Sequence, residues 1–361
     1  MNHQRYCVIM AGGVGSRFWP ISRRTMPKQF LDILGTGKSF IRHTYERFAR
    51  IIPPENFLVI TNSLYKDQVL QHLPELNENQ ILCEPIGRNT ASAVAYSAWR
   101  LQAMNPNATM IVTPSDHLIL NEAEFCEVMT ESADFVEQHP ALMTIGIRPS
   151  RPDTGYGYIQ VEPETDPTHP AISRVKTFTE KPNLELAKVF VDSGEFFWNA
   201  GIFIWKVSTI MANLNEFLPE TQQLFASVAP VYNTPEEQQA INAVYAECRS
   251  ISIDYGVMEK TRDAYVRRSD FGWSDIGTWG SLYQNVPKDE QGNVKYGKTL
   301  TYDTQNCIIN SAPGKLTVID SLNDYIVVDT DDVLMICPKS NEQNIKIFVD
   351  DVKFNIGDEY I

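Results

Sequence analysis

Apolar runs alternate with amphipathic segments over much of the chain. The first run, Tyr6–Ala11, is continuously apolar, which is typical of a strand buried on both faces. Between such runs apolar residues recur at helical spacing, and Asn89 is placed to cap one of the predicted helices. This alternation predicts an α/β fold with a doubly wound, mostly parallel sheet covered by helices on both faces. The predicted strands are Tyr6–Ala11, Phe57–Thr61, Ile81–Glu84, Thr109–Thr113 and Leu142–Ile147, and the predicted helices are Ser39–Ile52, Leu64–Leu73, Thr90–Met104 and Glu122–His139.

The pattern changes twice in the rest of the chain. From Gly155 onwards the segments are more strand-like, and after Pro287 short β-type runs recur between turn residues. No long helix separates these last runs, so they predict a small, β-rich C-terminal domain resembling a β-helix. We therefore expect one domain over residues 1–285 and a second over residues 286–361. The further predicted strands are Tyr158–Val161, Ile172–Thr179, Ala200–Trp205, Thr299–Tyr302, Cys307–Asn310, Leu316–Ile319, Tyr325–Asp329 and Val333–Ile336, and the further helices are Val207–Val228 and Glu236–Glu247.

Composition and charge exclude several classes of protein. The 361 residues include 31 Lys or Arg and 45 Asp or Glu, so the formal net charge is −14. This excess of acid argues against binding to nucleic acid or to an anionic membrane surface, because both require stripes of positive charge. No apolar run approaches the ~20 residues that span a bilayer, and the N-terminal run is too short for a signal peptide. The six cysteines show no C-x-x-C spacing, so we expect a cytoplasmic protein with free thiols.

The strongest chemical signal is a glycine-rich loop directly after the first predicted strand. Glycines allow backbone N–H groups to approach an anion closely, and basic side chains add positive charge. The loop is not the dinucleotide-binding fingerprint, because Phe18 occupies the position of its third glycine. Gly35–Ser39 is not a P-loop either, because Asp32 stands where the first glycine would be. The residues of this candidate phosphate-binding loop are Gly12, Gly13, Gly15, Arg17 and Lys28.

An ordered set of short motifs accompanies this loop. Each motif is weak alone, but together and in this order the chain resembles the sugar-1-phosphate nucleotidyltransferases, in particular the bacterial mannose-1-phosphate guanylyltransferases. The resemblance covers about Tyr6 to Trp279 and implies a Rossmann-like nucleotidyltransferase fold for the first domain. The motifs are Ala11–Gln29, Glu84–Ala91, Pro114–His117, Gly155–Ile159, Glu180–Pro182, Trp198–Gly201 and Trp273–Trp279.

Two aspartates are the candidate metal ligands. Asp116 follows a predicted buried strand, at the edge of the sheet where a carboxylate can hold Mg²⁺ against a triphosphate, and the resemblance assigns it that role. Asp275 lies in a glycine-flanked turn and is the expected second ligand, although it could also cap the next helix. Mn²⁺ is an expected substitute for Mg²⁺. We do not expect His117 to act as a general base, because the attacking phosphate oxygen is already ionised.

The remaining motifs predict the groups that bind the sugar phosphate. The resemblance places Glu180 on sugar hydroxyls and Lys181 on the phosphate, which suits a polyol next to a dianion. Asn199 can both donate hydrogen bonds to sugar hydroxyls and accept them. Gly157 would let the backbone approach the sugar, and Tyr156 would form a wall of the pocket.

Guanine recognition is assigned to Glu84, because a carboxylate can accept hydrogen bonds from both N1–H and the N2 amine of guanine. Glu84 could equally bond to ribose or backbone, or end its strand in solvent. Asn89 and Thr90 open a helix and are candidates for ribose or phosphate, with capping as the alternative. The complete set of predicted nucleotide-binding residues is Gly12, Gly13, Gly15, Arg17, Lys28, Glu84, Asn89, Thr90 and Ser115.

The resemblance implies that the chain makes GDP-mannose and pyrophosphate from GTP and mannose 1-phosphate. An oxygen of the sugar phosphate would attack the α-phosphorus in line, so catalysis would rest on positioning and charge neutralisation. The predicted catalytic residues are Arg17, Lys28, Asp116 and Asp275.

Two other functions are compatible with the same motifs. One is a pyrophosphorylase for a different sugar 1-phosphate or nucleotide. The other is a catalytically silent subunit that senses nucleotide sugars, which the presence of Lys28, Asp116 and Asp275 disfavours. Some relatives carry an isomerase domain, which we do not expect here because no histidine follows His169. The oligomeric state stays open, with a homodimer as one form.

Overall fold

The computed structural model describes residues 3–361, which form two compact units. The first unit contains residues 3–12, Thr44–Ser115 and Ile119–Trp273. The second contains Gly13–His43, Asp116–Leu118 and Ser274–Ile361. The glycine-rich segment therefore belongs to both units, with Gly12 in the first and the rest of the loop in the second. The predicted division of the chain after residue 285 concerns domains rather than these units, and it stays a prediction.

A nine-stranded sheet organises the first unit, with strand order β3-β2-β1-β4-β9-β6-β10-β8-β7. From the strand pairings, seven of these strands run in one direction, and β8 and β9 run against them. The predicted doubly wound, mostly parallel sheet is therefore confirmed. Strand β5, which has only two residues, lies outside this sheet. The strands are β1 Arg5–Ala11, β2 Phe57–Asn62, β3 Ile81–Glu84, β4 Thr109–Pro114, β5 Leu118–Ile119, β6 Leu142–Ile147, β7 Tyr158–Thr165, β8 Ile172–Thr179, β9 Phe196–Lys206 and β10 Ala264–Ser269.

Helices cover both faces of this sheet. Tyr6 and Val8 pack into a core with the third helix, and Cys7 and Ile9, which point to the opposite face of the same strand, are also buried. The predicted single helix over Val207–Val228 is wrong, because the chain breaks at Leu218 and a new helix begins with Pro219 at its first position. The helices are α1 Phe40–Phe48, α2 Lys66–His72, α3 Asn89–Met104, α4 Glu122–Gln138, α5 Leu184–Ser193, α6 Val207–Phe217, α7 Pro219–Ser227 and α8 Glu237–Glu247.

The sheet brings three predicted motifs to one edge. Strand β1 pairs in parallel with both β2 and β4, and β2 pairs in parallel with β3. Their carboxyl ends therefore share an edge, where α/β proteins bind ligands. Gly12 follows β1, Glu84 ends β3, and Ser115 follows β4, with its N–H donating to the oxygen of Met10 at 3.0 Å. The order of strands thus gathers segments that are far apart in the sequence.

Parallel strands also dominate the C-terminal part of the second unit. Strands β12, β14 and β16 stack in parallel, β17 runs antiparallel to β16, and β13 pairs in parallel with β15. The predicted β-helix-like region is confirmed, but the structure adds a C-terminal helix that the sequence did not predict. The elements are β11 Trp273–Ser274, α9 Trp279–Asn285, β12 Val294–Tyr296, β13 Lys298–Tyr302, β14 Ile308–Asn310, β15 Leu316–Asp320, β16 Tyr325–Asp329, β17 Leu334–Pro338 and α10 Ile345–Asn355.

The glycine-rich loop and the C-terminal strands share one hydrophobic core within the second unit. The rings of Phe18 and Trp279 lie 5.0 Å apart, and both residues are fully buried. Trp19 Nε1 donates to the main-chain oxygen of Tyr360 at 2.7 Å. The Arg23 guanidinium makes a two-pronged ion pair with Asp332. The C-terminal region therefore supports the loop that precedes Lys28.

Candidate active site

The glycine-rich loop turns sharply at Gly15, which has a φ of 72°. A Cβ at this position would lie 2.5 Å from the Cβ of Lys28, closer than packed atoms can approach. The main-chain N–H of Lys28 donates to the oxygen of Val14 at 3.2 Å, which closes the loop. Gly15 is therefore required both for its backbone conformation and for the close approach of Lys28.

Lys28 contacts two other predicted catalytic residues of the second unit, Asp116 and Asp275. Its Nζ is 2.9 Å from Asp116 Oδ2 and donates to the main-chain oxygen of Asp275 at 2.8 Å. The Lys28 side chain is only 5% exposed, whereas the Asp116 carboxylate is 31% exposed. The structure thus brings Lys28, Asp116 and Asp275 together, and their shared catalytic role stays a prediction. The ammonium also faces the ring of Phe40, 5.1 Å from its centre.

The charge of Lys28 controls the ionisation of Asp116. Burial alone would raise the pKa of this carboxyl group, but the Coulombic attraction of Lys28, then that of His117, and the hydrogen bond from Lys28 outweigh it. The pKa of Asp116 therefore lies below its ordinary value. An ionised carboxylate with partial exposure is the kind of oxygen ligand that Mg²⁺ prefers.

Asp275 does not cap the helix that follows it. Helix α9 begins at Trp279, and its cap is Thr278, whose side chain accepts from the N–H of Ser281. Instead, Asp275 Oδ1 accepts from the N–H of Gly277 at 3.0 Å. A Cβ at Gly277 would meet Asp275 Oδ2 at 2.5 Å, so a side chain at this position would displace the carboxylate.

Arg17 ends the short turn Ser16–Phe18 that follows Gly15. Its Nε is buried and makes no hydrogen bond within residues 3–361. A buried guanidinium nitrogen without a partner is costly, so a ligand that supplies an acceptor would be stabilised there.

The residues of the second unit meet the simplest chemical requirement for a divalent cation. Within the described part of the chain, no cluster of three or more His, Cys, Asp or Glu side chains could hold a metal. Mg²⁺, however, is commonly held by one or two carboxylates together with waters and the phosphates of the substrate. Asp116 and Asp275 supply such a pair, and both have main-chain or side-chain contacts to Lys28.

In the first unit, Glu84 is buried at the end of β3. Tyr245 from α8 donates a hydrogen bond to Glu84 Oε1 at 2.9 Å. A Cβ at Gly12 would lie 3.4 Å from Glu84 Oε2, so this second oxygen faces the start of the glycine-rich loop. Burial raises the pKa of Glu84 to about 7, although the hydrogen bond from Tyr245 opposes the shift. Because Glu84 is buried, the alternative that it ends its strand in solvent is wrong.

The start of α3 differs from the predicted cap. Asn89 is the first helical residue, has a φ of 65°, and accepts the N–H of Thr90 at 2.8 Å. The Thr90 hydroxyl accepts from the N–H of Ile253 at 2.8 Å. The prediction that Asn89 caps this helix is therefore wrong, because its side chain bonds to the next residue and the helix begins one residue earlier. Their roles toward ribose or phosphate stay predictions.

The predicted sugar-binding residues of the first unit are close together. A Cβ at Gly157 would lie 2.5 Å from Glu180 Oε2 and 3.4 Å from Asn199 Cβ. Lys181 Nζ donates to Glu180 Oε1 at 2.6 Å, and the lysine side chain is 59% exposed. Partial burial alone would lower the pKa of Lys181, but the Glu180 carboxylate raises it. The ammonium is therefore charged and accessible, as contact with a phosphate requires.

Asn199 has less capacity for a ligand than the sequence suggested. Its Oδ1 accepts from the hydroxyl of Thr144 at 2.8 Å and from the N–H of Gly201 at 3.1 Å. Its Nδ2 donates to Asp254 Oδ1 at 2.9 Å. These bonds use both acceptor positions and one of the two donors, so one N–H is left for a sugar hydroxyl.

Asp254 is a candidate functional residue that sequence analysis missed. It begins a short π-helix, Asp254–Met258, a rare element that is often found at functional sites. Burial first, and then the negative charge of Glu180, raise its pKa to about 7. The only sequence signal is an acidic residue directly after the apolar positions Ile251 and Ile253, in a segment without clear periodicity.

Tyr156 is buried in an aromatic cluster of the first unit. Its ring lies 5.0 Å from that of Trp198 and 5.1 Å from that of Trp273. The Arg151 guanidinium stacks 5.3 Å from the Trp198 ring. The main-chain oxygen of Tyr156 accepts from the N–H of Lys181 at 3.2 Å, which connects the cluster to the predicted sugar-phosphate residues.

No helix among residues 3–361 combines the length and apolar character that crossing a membrane requires.

Comparisons with known proteins agree with the fold and with the predicted motifs. The family model described as nucleotidyl transferase matches residues 6–292, and the model of the MannoseP isomerase/GMP-like beta-helix domain matches residues 297–352. The mannose-1-phosphate guanylyltransferase of Klebsiella pneumoniae is 37% identical over 357 residues, which are 98% of this chain and 75% of the relative. One such enzyme of Escherichia coli is 36% identical over 98% of this chain and 75% of its own length.

A solved structure matches the whole fold. The crystal structure of mannose-1-phosphate geranyltransferase from Thermus thermophilus aligns with a TM-score of 0.86 at 28% identity, covering 97% of this chain and 99% of that one. Fold and matches together define an enzyme of the nucleotidyltransferase class. Within that class, the chain belongs to the mannose-1-phosphate guanylyltransferase family. The predicted family, fold class and enzyme class are confirmed.

Proposed function

We propose that the protein transfers a guanylyl group from GTP to mannose 1-phosphate and so produces GDP-mannose and pyrophosphate. The observation that carries the proposal is the convergence of the Lys28 ammonium on the carboxylate of Asp116 and the main chain of Asp275. This is a charged, preorganised arrangement that suits phosphoryl chemistry, in which positioning and neutralisation supply most of the rate enhancement.

The chain's own residues divide the work between the two substrates. The glycine-rich loop, with Gly12, Gly13 and Gly15, presents backbone N–H groups to the triphosphate, and Arg17 supplies an unpaired donor. Lys28 keeps Asp116 ionised and holds the turn that carries Asp275. Mg²⁺, held by Asp116 and Asp275 and replaceable by Mn²⁺, supplies charge neutralisation at the phosphates when it is bound.

The sugar phosphate is assigned to the first unit. Lys181 binds its phosphate, and Glu180 accepts hydrogen bonds from its hydroxyls, with Tyr156, Gly157 and Asn199 shaping the site. We add Asp254 to this group, because it accepts a hydrogen bond from Asn199 and because the negative charge of Glu180 acts on its carboxyl group. Glu84 reads the guanine edge with the oxygen that faces Gly12, and Ser115 and Asn89 complete the nucleotide-binding set.

Substrate profiling of the purified protein tests this proposal. GTP, ATP, UTP, CTP and dTTP are each paired with mannose 1-phosphate, glucose 1-phosphate and other sugar 1-phosphates, and pyrophosphate release is measured. We expect the highest kcat/KM with GTP and mannose 1-phosphate. A clear preference for another pair would make the protein a pyrophosphorylase of different specificity. Saturable binding of GDP-mannose without turnover of any pair would make it a silent sensing subunit.

Metal removal and two variants test the assignment of the aspartates. Activity should vanish with a chelator and return with Mg²⁺ or Mn²⁺. Asp116→Asn and Asp275→Asn should each lower kcat by orders of magnitude, about 100-fold or more, with an unchanged circular dichroism spectrum. Asp303→Asn, the same change at an exposed position of the second unit, is the matched control. Full activity of Asp275→Asn would remove it from the metal site.

The location in the cytoplasm, the homodimer and the division into domains at residue 285 stay predictions. Gel filtration with light scattering measures the number of chains per particle and so tests the predicted homodimer. Limited proteolysis followed by mass spectrometry tests whether cleavage concentrates near residues 285–296.

A further inference from the structure

The segment from Ile251 to Glu259 is attached at one end to the start of α3. The N–H of Ala91 donates to the main-chain oxygen of Ile251 at 3.1 Å. The N–H of Ile253 donates to the Thr90 hydroxyl at 2.8 Å. Ile253 is fully buried, so its N–H has no access to water if this acceptor is lost.

The other end of the same segment contacts the proposed sugar-phosphate residues. Asp254 Oδ1 accepts from Asn199 Nδ2 at 2.9 Å. The Tyr255 hydroxyl lies 3.4 Å from the main-chain oxygen of Glu180, and Glu259 Oε1 accepts from the N–H of Glu180 at 3.2 Å. Three side chains of one short segment therefore hold Asn199 and the turn that carries Glu180.

Two of the first N–H groups of α3, those of Thr90 and Ala91, are already used within the protein. The N–H of Thr90 donates to Asn89 Oδ1 at 2.8 Å, and that of Ala91 to Ile251. These two main-chain donors, which a phosphate at the helix start would use, thus have partners within the chain. The hydroxyl of Thr90 is likewise engaged with Ile253. The start of this helix is built to hold the neighbouring segment.

We propose that Thr90 is a positioning residue for the sugar phosphate rather than a contact for the nucleotide. Its hydroxyl sets the main chain at Ile253, and so the place of Asp254, which in turn orients Asn199. The inference rests on the proposed function, because it takes mannose 1-phosphate as the substrate that this part of the first unit binds. It predicts that a change at Thr90 alters the use of one substrate and leaves the other unaffected.

Steady-state kinetics of Thr90→Val and Thr90→Ser test the inference. Valine keeps the shape of threonine but removes the acceptor for the buried N–H, whereas serine retains the hydroxyl. With GTP saturating, we expect Thr90→Val to raise the KM for mannose 1-phosphate about tenfold. With the sugar phosphate saturating, the KM for GTP should change less than about twofold, and Thr90→Ser should restore wild-type values.

A matched control and a double variant sharpen the comparison. Thr130→Val removes a hydroxyl that bonds within α4, to the oxygen of Cys126, and should leave both KM values unchanged. If Thr90 acts through Asp254, the effects of Thr90→Val and Asp254→Asn on the KM for mannose 1-phosphate should not multiply in the double variant. If Thr90→Val does not fold, Thr90→Ala is compared in the same way.

Several outcomes would overturn the inference. A rise in the KM for GTP alone would make Thr90 a nucleotide contact, as the sequence suggested. Unchanged KM values, failure of serine to restore them, or multiplicative effects in the double variant would also contradict it. Failure of the proposed function is distinguishable, because it would appear as a wild-type protein that does not use GTP and mannose 1-phosphate.

Discussion

The Lys28 ammonium lies 2.9 Å from Asp116 Oδ2 and donates to the main-chain oxygen of Asp275 at 2.8 Å. One nearly buried cation thus contacts both proposed metal ligands, one through its carboxylate and the other through its backbone. The sequence separates Lys28 from Asp275 by 247 positions. Besides supplying positive charge, the lysine therefore holds together the two turns that carry Asp116 and Asp275.

Replacing this lysine should damage both stability and activity. Lys28→Met keeps most of the aliphatic volume but leaves the Asp116 carboxylate without its ion-pair partner. Removing one partner of a largely buried ion pair costs about 3 kcal/mol. We therefore expect the free energy of unfolding, measured by urea denaturation, to fall by about this amount. Turnover with GTP and mannose 1-phosphate should fall about 100-fold or more.

The control for this variant is Lys295→Met, which removes an ion pair with Asp289 in the same unit whose lysine side chain is 28% exposed, against 5% for Lys28. That change should cost less than about 1 kcal/mol and leave turnover unaffected. Equal losses for the two variants would show that the Lys28 pair has no special role.

The turn at Gly15 should not tolerate a side chain. Gly15→Ala adds a Cβ 2.5 Å from Lys28 Cβ at a residue with a φ of 72°, so the loop must shift. We expect kcat/KM for GTP to fall by about 100-fold, because the loop and Lys28 move together. Gly37→Ala has a similar backbone, with a φ of 81°, but among residues 3–361 no atom beyond its chain neighbours lies within 4 Å of the added Cβ, so it should retain activity. Wild-type kinetics for Gly15→Ala would contradict the role of the loop.

Glu84 should make stability depend on pH with a defined sign. Burial raises its pKa from an ordinary 4.5 to about 7, so in this window the folded protein binds more protons here than the unfolded chain does. The free energy of unfolding therefore falls as the pH rises through this window. Glu84→Gln cannot titrate, so its stability relative to wild type should increase by about 3 kcal/mol between pH 4.5 and about pH 8.

Urea denaturation of both proteins across this pH range measures the effect. Asp254, whose pKa is also raised to about 7, is present in both proteins, so its contribution cancels in the difference. A difference that does not change with pH would show that Glu84 titrates normally. In wild type, the KM for GTP should also decrease as the pH rises through about 7, since guanine needs the ionised acceptor. Glu84→Gln should lose this dependence.

The sugar-phosphate residues leave no room for a side chain at Gly157. Gly157→Ala places a Cβ 2.5 Å from Glu180 Oε2, which must move away together with its ion pair to Lys181. We expect the KM for mannose 1-phosphate to rise about tenfold and the KM for GTP to stay the same. At Gly155 the nearest atom, Asp153 Oδ1, is 3.2 Å from the added Cβ, so Gly155→Ala should have a smaller effect. A selective effect of Gly157→Ala on GTP would contradict the assignment.

Local patterns predicted most strands because strands leave short runs of apolar, β-branched and aromatic residues between turn residues. Ile81–Glu84, Leu142–Ile147, Ile172–Thr179 and Tyr325–Asp329 match the structure at both ends. Strand β10 was missed because three of its six residues, Arg267, Arg268 and Ser269, are polar, and pairing with β6 and β8 rather than composition makes it a strand. Helix α10 was missed for a similar reason, since only Ile345 is fully buried.

The motifs needed no tertiary information, since glycines after a strand and carboxylates at strand ends are visible in the sequence. Their partners were not visible. Contacts such as Tyr245 with Glu84, Asp254 with Asn199, and Thr90 with Ile253 join residues 55 to 163 positions apart. Chemical type and local periodicity are properties of neighbouring residues, and they identify strands, turns and candidate ligands. Burial, pKa and hydrogen-bond partners depend on the order of strands in the sheet, which is set by the packing of the whole chain.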